Sequence, residues 1–142
     1  LILRHVTRNT ALPSIIKSDC LDPEFLQREH DRGHISFELN PKTELLTKYF
    51  HVIKGWNQDE PFELLFDGEE LLQDNYEILH SIEGIKFNKE VDIGWKLRDA
   101  KIPYLKEDVD NIEYCFIKGK VQLKYLTEES KRKLSEWADK NI

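Results

Sequence analysis

The sequence predicts a single α+β domain over residues 1–142, with a central mixed, mostly antiparallel sheet and short flanking helices. Three observations predict it. Short apolar alternations recur at "LILRHVT", "ISFEL", "FELLF" and "NIEYCFIKG". Helical spacing between them comes in short runs, and strands and helices do not alternate in the strict βαβ order of a doubly wound sheet. A length of 142 residues with 39% hydrophobic and 11% aromatic content suits one core, and no repeat, low-complexity tract or linker divides the chain.

"LILRHVT" reads as the first strand. "NTALPSIIKSD" reads as a short helix capped by Asn9 or Thr10, with Pro13 in its first turn and Leu12, Ile15 and Ile16 as its apolar stripe. "DPEFLQREHDRGH" is polar and carries Pro23 and Gly33, as a loop with at most one helical turn would. In "ISFEL", Ile35, Phe37 and Leu39 alternate with Ser36 and Glu38, which marks a second strand. "NPKTELLTKYFHVIKGW" has helical spacing at Leu45, Leu46, Tyr49, Phe50 and Ile53, with Gly55 placed to stop it. "FELLF" is a strand, Asp67 and Gly68 turn the chain, and "EELLQDN" starts a helix. "GIKFNKEVDIGWKL" supplies one or two strands around Asn88. "NIEYCFIKG" is a strand, and "KVQLKYL" continues the sheet after a turn at Gly119. "TEESKRKLSEWADKN" closes as a helix that Thr127 starts, burying Leu134 and Trp137.

Charge and composition exclude several classes. A net charge of −6 and a pI near 5.4 withhold the many Lys and Arg contacts of sequence-independent phosphate gripping. With 34% charged residues and a mean hydropathy of −0.60, no apolar run reaches bilayer-spanning length, and no basic start or cleavage site marks secretion. The expectation is a cytoplasmic protein without membrane contact. Cys20 and Cys115 are far apart and lack the close partner of a zinc knuckle or redox pair, so reduced structural thiols are expected. The lack of any methionine predicts that residues precede Leu1.

Four constellations invite chemistry. His5 and Thr7 share one strand face, where Val or Ile would be usual; the pair is either a solvated edge or the wall of a pocket that could hold vicinal sugar hydroxyls. Glu113 shares a face with Cys115 and Ile117, either as a solvated glutamate or as a carboxylate in a cleft. His30 and His34 stand four apart in "EHDRGH", but Gly33 weakens a helix there and the HExxH order is absent, so no metal site is expected. "DGEE" at 67–70 is explained by a turn whose acidic side chains favour a helix start. His51 and His80 are isolated. No GxGxxG, GxxxxGK[ST] or GxSxG motif occurs.

In order, these features resemble the ADP-ribosyltransferase-like fold. The resemblance is to its small bacterial and phage-related members, the DNA-modifying toxins of toxin–antitoxin pairs and the RNA 2′-phosphotransferases. "LRHVT" looks like the H-x-T strand, "NTALPSIIKSDCL" like the short helix after it, and "HISFEL" like the second core strand. "FELLFDGEELL" looks like a central strand with its turn, and "IEYCFIKGKVQLKYL" like the late strand that brings in a glutamate. The chain departs from the pattern at Phe37, where many relatives carry Tyr, at Val6, where Gly is frequent, and at Asp19 and Cys20 in the turn after the helix.

The resemblance implies an NAD-binding domain that transfers ADP-ribose to a protein or nucleic-acid acceptor. His5 would hold the nicotinamide ribose, Thr7 would sit near the nicotinamide amide, Phe37 would form an apolar wall and Glu113 would be catalytic. An intact site then requires His5 and Glu113 to face one cleft from neighbouring strands. The alternative is a non-catalytic interaction protein of a phage-resistance or toxin–antitoxin system that retains the fold and has a cognate toxin or antitoxin as partner. A third reading is a metal-dependent hydrolase built on His30 and His34.

Overall fold

The computed structural model describes residues 1–23, 33–41, 44–45, 50–51, 55–56, 59–79 and 114–142. β1 (Ile2–Arg8) runs through a 3-10 turn (Asn9–Ala11) into α1 (Leu12–Ser18) and the short β2 (Cys20–Leu21). β3 (His34–Leu39), β4 (Pro61–Asp67) and α2 (Gly68–Gln73) follow. β5 (Tyr114–Lys118), β6 (Val121–Gln122), a 3-10 turn (Leu123–Tyr125) and α3 (Glu128–Asn141) complete the described elements. The expected helix over "NPKTELLTKYFHVIKGW" falls largely outside the described residues, and the strands expected in "GIKFNKEVDIGWKL" fall wholly outside them.

Among the described residues, four strands form the central sheet in the order β4-β1-β3-β5, and each neighbouring pair is antiparallel. β1 is therefore an inner strand. Its odd-numbered residues Leu3, His5 and Thr7 face the core together with Leu64 and Phe66 of β4, Ile35 and Phe37 of β3, and Cys115 and Ile117 of β5. α1 adds Leu12 and Ile15 to this core, α2 adds Leu71, and α3 adds Leu134, with Trp137 packed edge-on to Phe62. β5, the "YCFIK" of "NIEYCFIKG", thus shares the first strand's sheet, as expected.

Two expectations need correction. Asn9 and Thr10 do not cap α1: they belong to the 3-10 turn, Ala11 stands at the cap position without a side-chain bond, and the Asn9 side chain instead accepts the Glu60 N–H at 3.2 Å. The amide thus fastens the end of β1 to the start of β4. Nor does "KVQLKYL" continue the central sheet. Leu79 and Phe116 exchange backbone hydrogen bonds of 2.8 and 2.7 Å along the outer side of β5, so a returning chain would find those groups taken. After Gly119, held at φ +88, Val121 and Gln122 pair with Leu21 and Cys20 as a separate two-stranded sheet.

The acidic turn at "DGEE" serves the start of a helix. The Asp67 side chain caps α2 by accepting the N–H groups of Glu69 and Glu70, at 3.0 and 3.2 Å. At the other end of the chain, Thr127 Oγ1 accepts the Ser130 N–H, the cap expected from "TEES".

Candidate functional site

His5 and Thr7 lie on the core face of β1 and are only 8% and 5% exposed, so they are not part of a solvated strand edge. His5 Nδ1 lies 3.0 Å from the Ser36 carbonyl oxygen on the neighbouring β3. A polar pair on an apolar sheet face is the arrangement that can hold hydroxyls in fixed directions, because burial limits rival contacts with water.

Phe37 stands beside His5. Continuing the printed register of Leu3 with Leu39 and Arg4 with Glu38 sets it opposite His5, and the two rings meet edge-to-face at 5.8 Å. Phe37 also meets Phe66 edge-to-face at 5.6 Å and is 1% exposed. In so closed a position a tyrosine would need a partner for its hydroxyl, whereas phenylalanine does not. Across β3, Phe37 pairs with Cys115, which is fully buried; burial pushes the thiol up to about 12, which keeps it protonated and unreactive.

Three of the four expected site residues, His5, Thr7 and Phe37, are therefore on one face of two adjacent strands. Glu113 lies outside the described residues. β5, which begins at Tyr114, is separated from β1 by β3. His30 is also outside the described residues. His34 is the first residue of β3, opposite Lys118, and not a loop residue as "DPEFLQREHDRGH" had suggested.

The opposite face of the sheet holds a feature the sequence did not reveal. Arg4 is 5% exposed and its guanidinium pairs with Glu38 of β3, directly opposite, and with Glu63 of β4 at 3.4 Å. One cation thus bridges the three strands that position His5. Period two puts Arg4 in phase with Val6, but the partners are 34 and 59 residues away, and only the register brings them together. A second pair, the Tyr125 hydroxyl donating to Asp74, joins the turn before α3 to the end of α2. That bond, burial and the carboxylate's charge push the Tyr125 phenol up to about 12.

Comparison with solved structures finds DarT from Thermus sp. 2.9 in complex with carba-NAD+. It is 11% identical, with 98% of this chain and 89% of that chain covered and a TM-score of 0.54. At that identity the likeness is one of fold, and the fold is the α+β, ADP-ribosyltransferase-like class expected from the sequence. No family model and no curated protein matches the chain. No helix among the described residues is long and apolar enough to cross a membrane.

Proposed function

We propose that this chain is an ADP-ribosyltransferase-like domain of the cytoplasm that binds NAD and transfers ADP-ribose to a protein or nucleic-acid acceptor. The observation that carries the reading is the burial of His5 and Thr7 side by side on an inner strand, next to the ring of Phe37. The fold shared with DarT, which was solved with carba-NAD+, supports it. The side chains fit such a ligand: an imidazole and a hydroxyl suit ribose hydroxyls and an amide, and an aromatic wall suits a planar ring.

NAD, when bound, supplies the ADP-ribosyl group and a nicotinamide leaving group. His5 holds the ribose, Thr7 orients the amide end and Phe37 excludes water from one side. The catalytic role falls to Glu113, in sequence phase with Cys115 and Ile117: a carboxylate beside the ribose as positive charge grows there would favour the transition state over the ground state. Titration of NAD into the purified protein by calorimetry, with nicotinamide release followed in the same sample, tests the reading. Saturable heat and slow release are expected; neither heat nor release would sink it.

The tight packing of Phe37 between His5 and Phe66 favours a second reading, that of a closed wall. In it the chain is a non-catalytic interaction protein of a phage-resistance or toxin–antitoxin system, keeping the fold and binding a cognate toxin or antitoxin. A protein that binds no NAD but forms a stoichiometric complex with such a partner would establish it.

A further inference from the structure

We propose that Arg4 is a positioning residue, the pin that sets where β1 and β3 part and so holds His5 and Phe37 in place on the other face of the sheet. Its effect on a ligand rests on the NAD-binding reading; its effect on the sheet does not. β1 pairs with β4 along all seven of its residues, from Ile2 opposite Asp67 to Arg8 opposite Pro61. With β3 it pairs at Leu3 with Leu39 and Arg4 with Glu38, and there the ladder stops. Before those pairs Asn40 extends the contact, donating its N–H to the Ile2 carbonyl at 2.7 Å and accepting the Ile2 N–H on its side chain at 2.8 Å. After them, the next rung of hydrogen bonds would join Val6 to Ser36. Instead the Ser36 carbonyl oxygen lies 3.0 Å from His5 Nδ1, so a side chain stands where a backbone bond would close the sheet.

Arg4 and Glu38 are the last pair before the strands part, and their ion pair closes that rung from the opposite face. Each is the chain neighbour of a residue beyond the parting, Arg4 of His5 and Glu38 of Phe37. Side chains directly opposite on antiparallel strands interact closely, and at 5% and 14% exposure water and salt screen this pair little. A weakened rung lets the strands part earlier, or close one rung further so that the Ser36 carbonyl exchanges the imidazole for the Val6 N–H. Either change moves the His5 ring against that of Phe37, 5.8 Å away. Glu63, which Arg4 also meets at 3.4 Å, stands on β4, where pairing with β1 is unbroken. It can stabilise the sheet without deciding where β1 and β3 part, and that asymmetry separates positioning from stability alone.

Glu38→Gln and Glu63→Gln each remove one carboxylate charge from Arg4, and comparing them tests the pin. The ring-proton resonances of His5, assigned by their loss in His5→Gln, report the place of its ring against Phe37. Glu38→Gln should shift those resonances and speed amide exchange at Arg4 and Glu38, whereas Glu63→Gln should lower the urea midpoint and leave both as in the parent. Arg4→Lys keeps the charge but not the planar guanidinium, and should shift the same resonances by less. By calorimetry at matched folded fractions, Glu38→Gln should weaken NAD by about 2- to 30-fold, and Glu63→Gln should hold it within about twofold. Unmoved His5 resonances in folded Glu38→Gln and Arg4→Lys overturn the pin whatever NAD does, and so do equal shifts in the Glu38 and Glu63 variants. Shifted resonances with unchanged NAD affinity overturn the positioning role. If the parent binds no NAD, the NAD reading fails together with the effect on a ligand, and the resonances alone still decide the pin, so the two failures are told apart.

Discussion

Ser130 Oγ accepts the backbone N–H of Leu65 at 2.8 Å, and three residues earlier the N–H of Thr127 donates to the Leu65 carbonyl, also at 2.8 Å. The cap of α3 thereby closes both outward backbone groups of one residue on β4, the outer strand on that side among the described residues. Unpaired edge groups invite pairing with other chains, so this seal protects as well as stabilises.

Replacing Ser130 by Ala leaves the half-buried Leu65 N–H without that acceptor. A loss of about 1–3 kcal/mol is expected. It should be read in urea unfolding as a lower midpoint at constant slope, with faster aggregation on warming. An unchanged midpoint would mean that the bond contributes nothing.

Arg4→Met should cost about 3–5 kcal/mol, because it leaves Glu38 and Glu63, 14% and 24% exposed, facing each other without their cation. Adding Glu38→Gln should recover part of the loss. A double variant no more stable than Arg4→Met would show that the carboxylate is not the source of the cost.

Alkali should weaken the fold through two groups. Tyr125, held protonated by its bond to Asp74, and Cys115, held protonated by burial, each have folded values of about 12, above their ordinary 10.0 and 9.0. Groups raised in the folded state lend stability that is whole below the ordinary value and is lost as pH climbs toward the raised one. Stability should fall between about pH 9 and 12, and Tyr125→Phe should flatten the part above 10. A variant that tracks the parent across that range refutes the assignment.

Cys115 should resist alkylation in the native protein and react at once in urea. At about pH 8, a thiol held near 12 is ionised at roughly one part in 10⁴, and it has no exposed surface. Rapid native labelling at this position, located by peptide mass, would contradict its placement.

On the proposed chemistry, Glu113→Gln should preserve NAD binding and lower transfer or NAD hydrolysis by ~100- to 1,000-fold, the loss expected of one electrostatic stabiliser. His5→Ala should weaken binding itself. If Glu113→Gln leaves the rate unchanged, the role belongs to another residue.

Alternation was enough to find β3, β4 and β5, because each carries apolar side chains at every second place against a buried face, whereas β1 was legible from its apolar start and departs from that pattern at His5 and Thr7. Thr127 and Asp67 were readable as helix starts because capping is local chemistry. What the sequence could not show was set by partners distant in the chain. Asn9 has the side chain of a cap but spends it on Glu60, 51 residues away. Val121 and Gln122 look like a continued strand but are drawn to Cys20 and Leu21. At the candidate site, the shared face of His5 and Thr7 followed from period two alone. The contact of His5 with Ser36 and the clamp on Arg4 needed the register of β1 against β3 and β4, which no short window of sequence contains.

The central place of β1 has a kinetic consequence. Its partners come from residues 34–39 and 61–67, and the seal on β4 comes from a helix start 65 residues beyond Leu65. During synthesis the strand that bears His5 therefore waits for β3 as its first neighbour and for β4 as its second, and the open side of β4 waits for Thr127 and Ser130. Long loops must close before these contacts repay the ordering of the chain, which places this domain among slow folders whose half-built sheet is exposed to wrong partners.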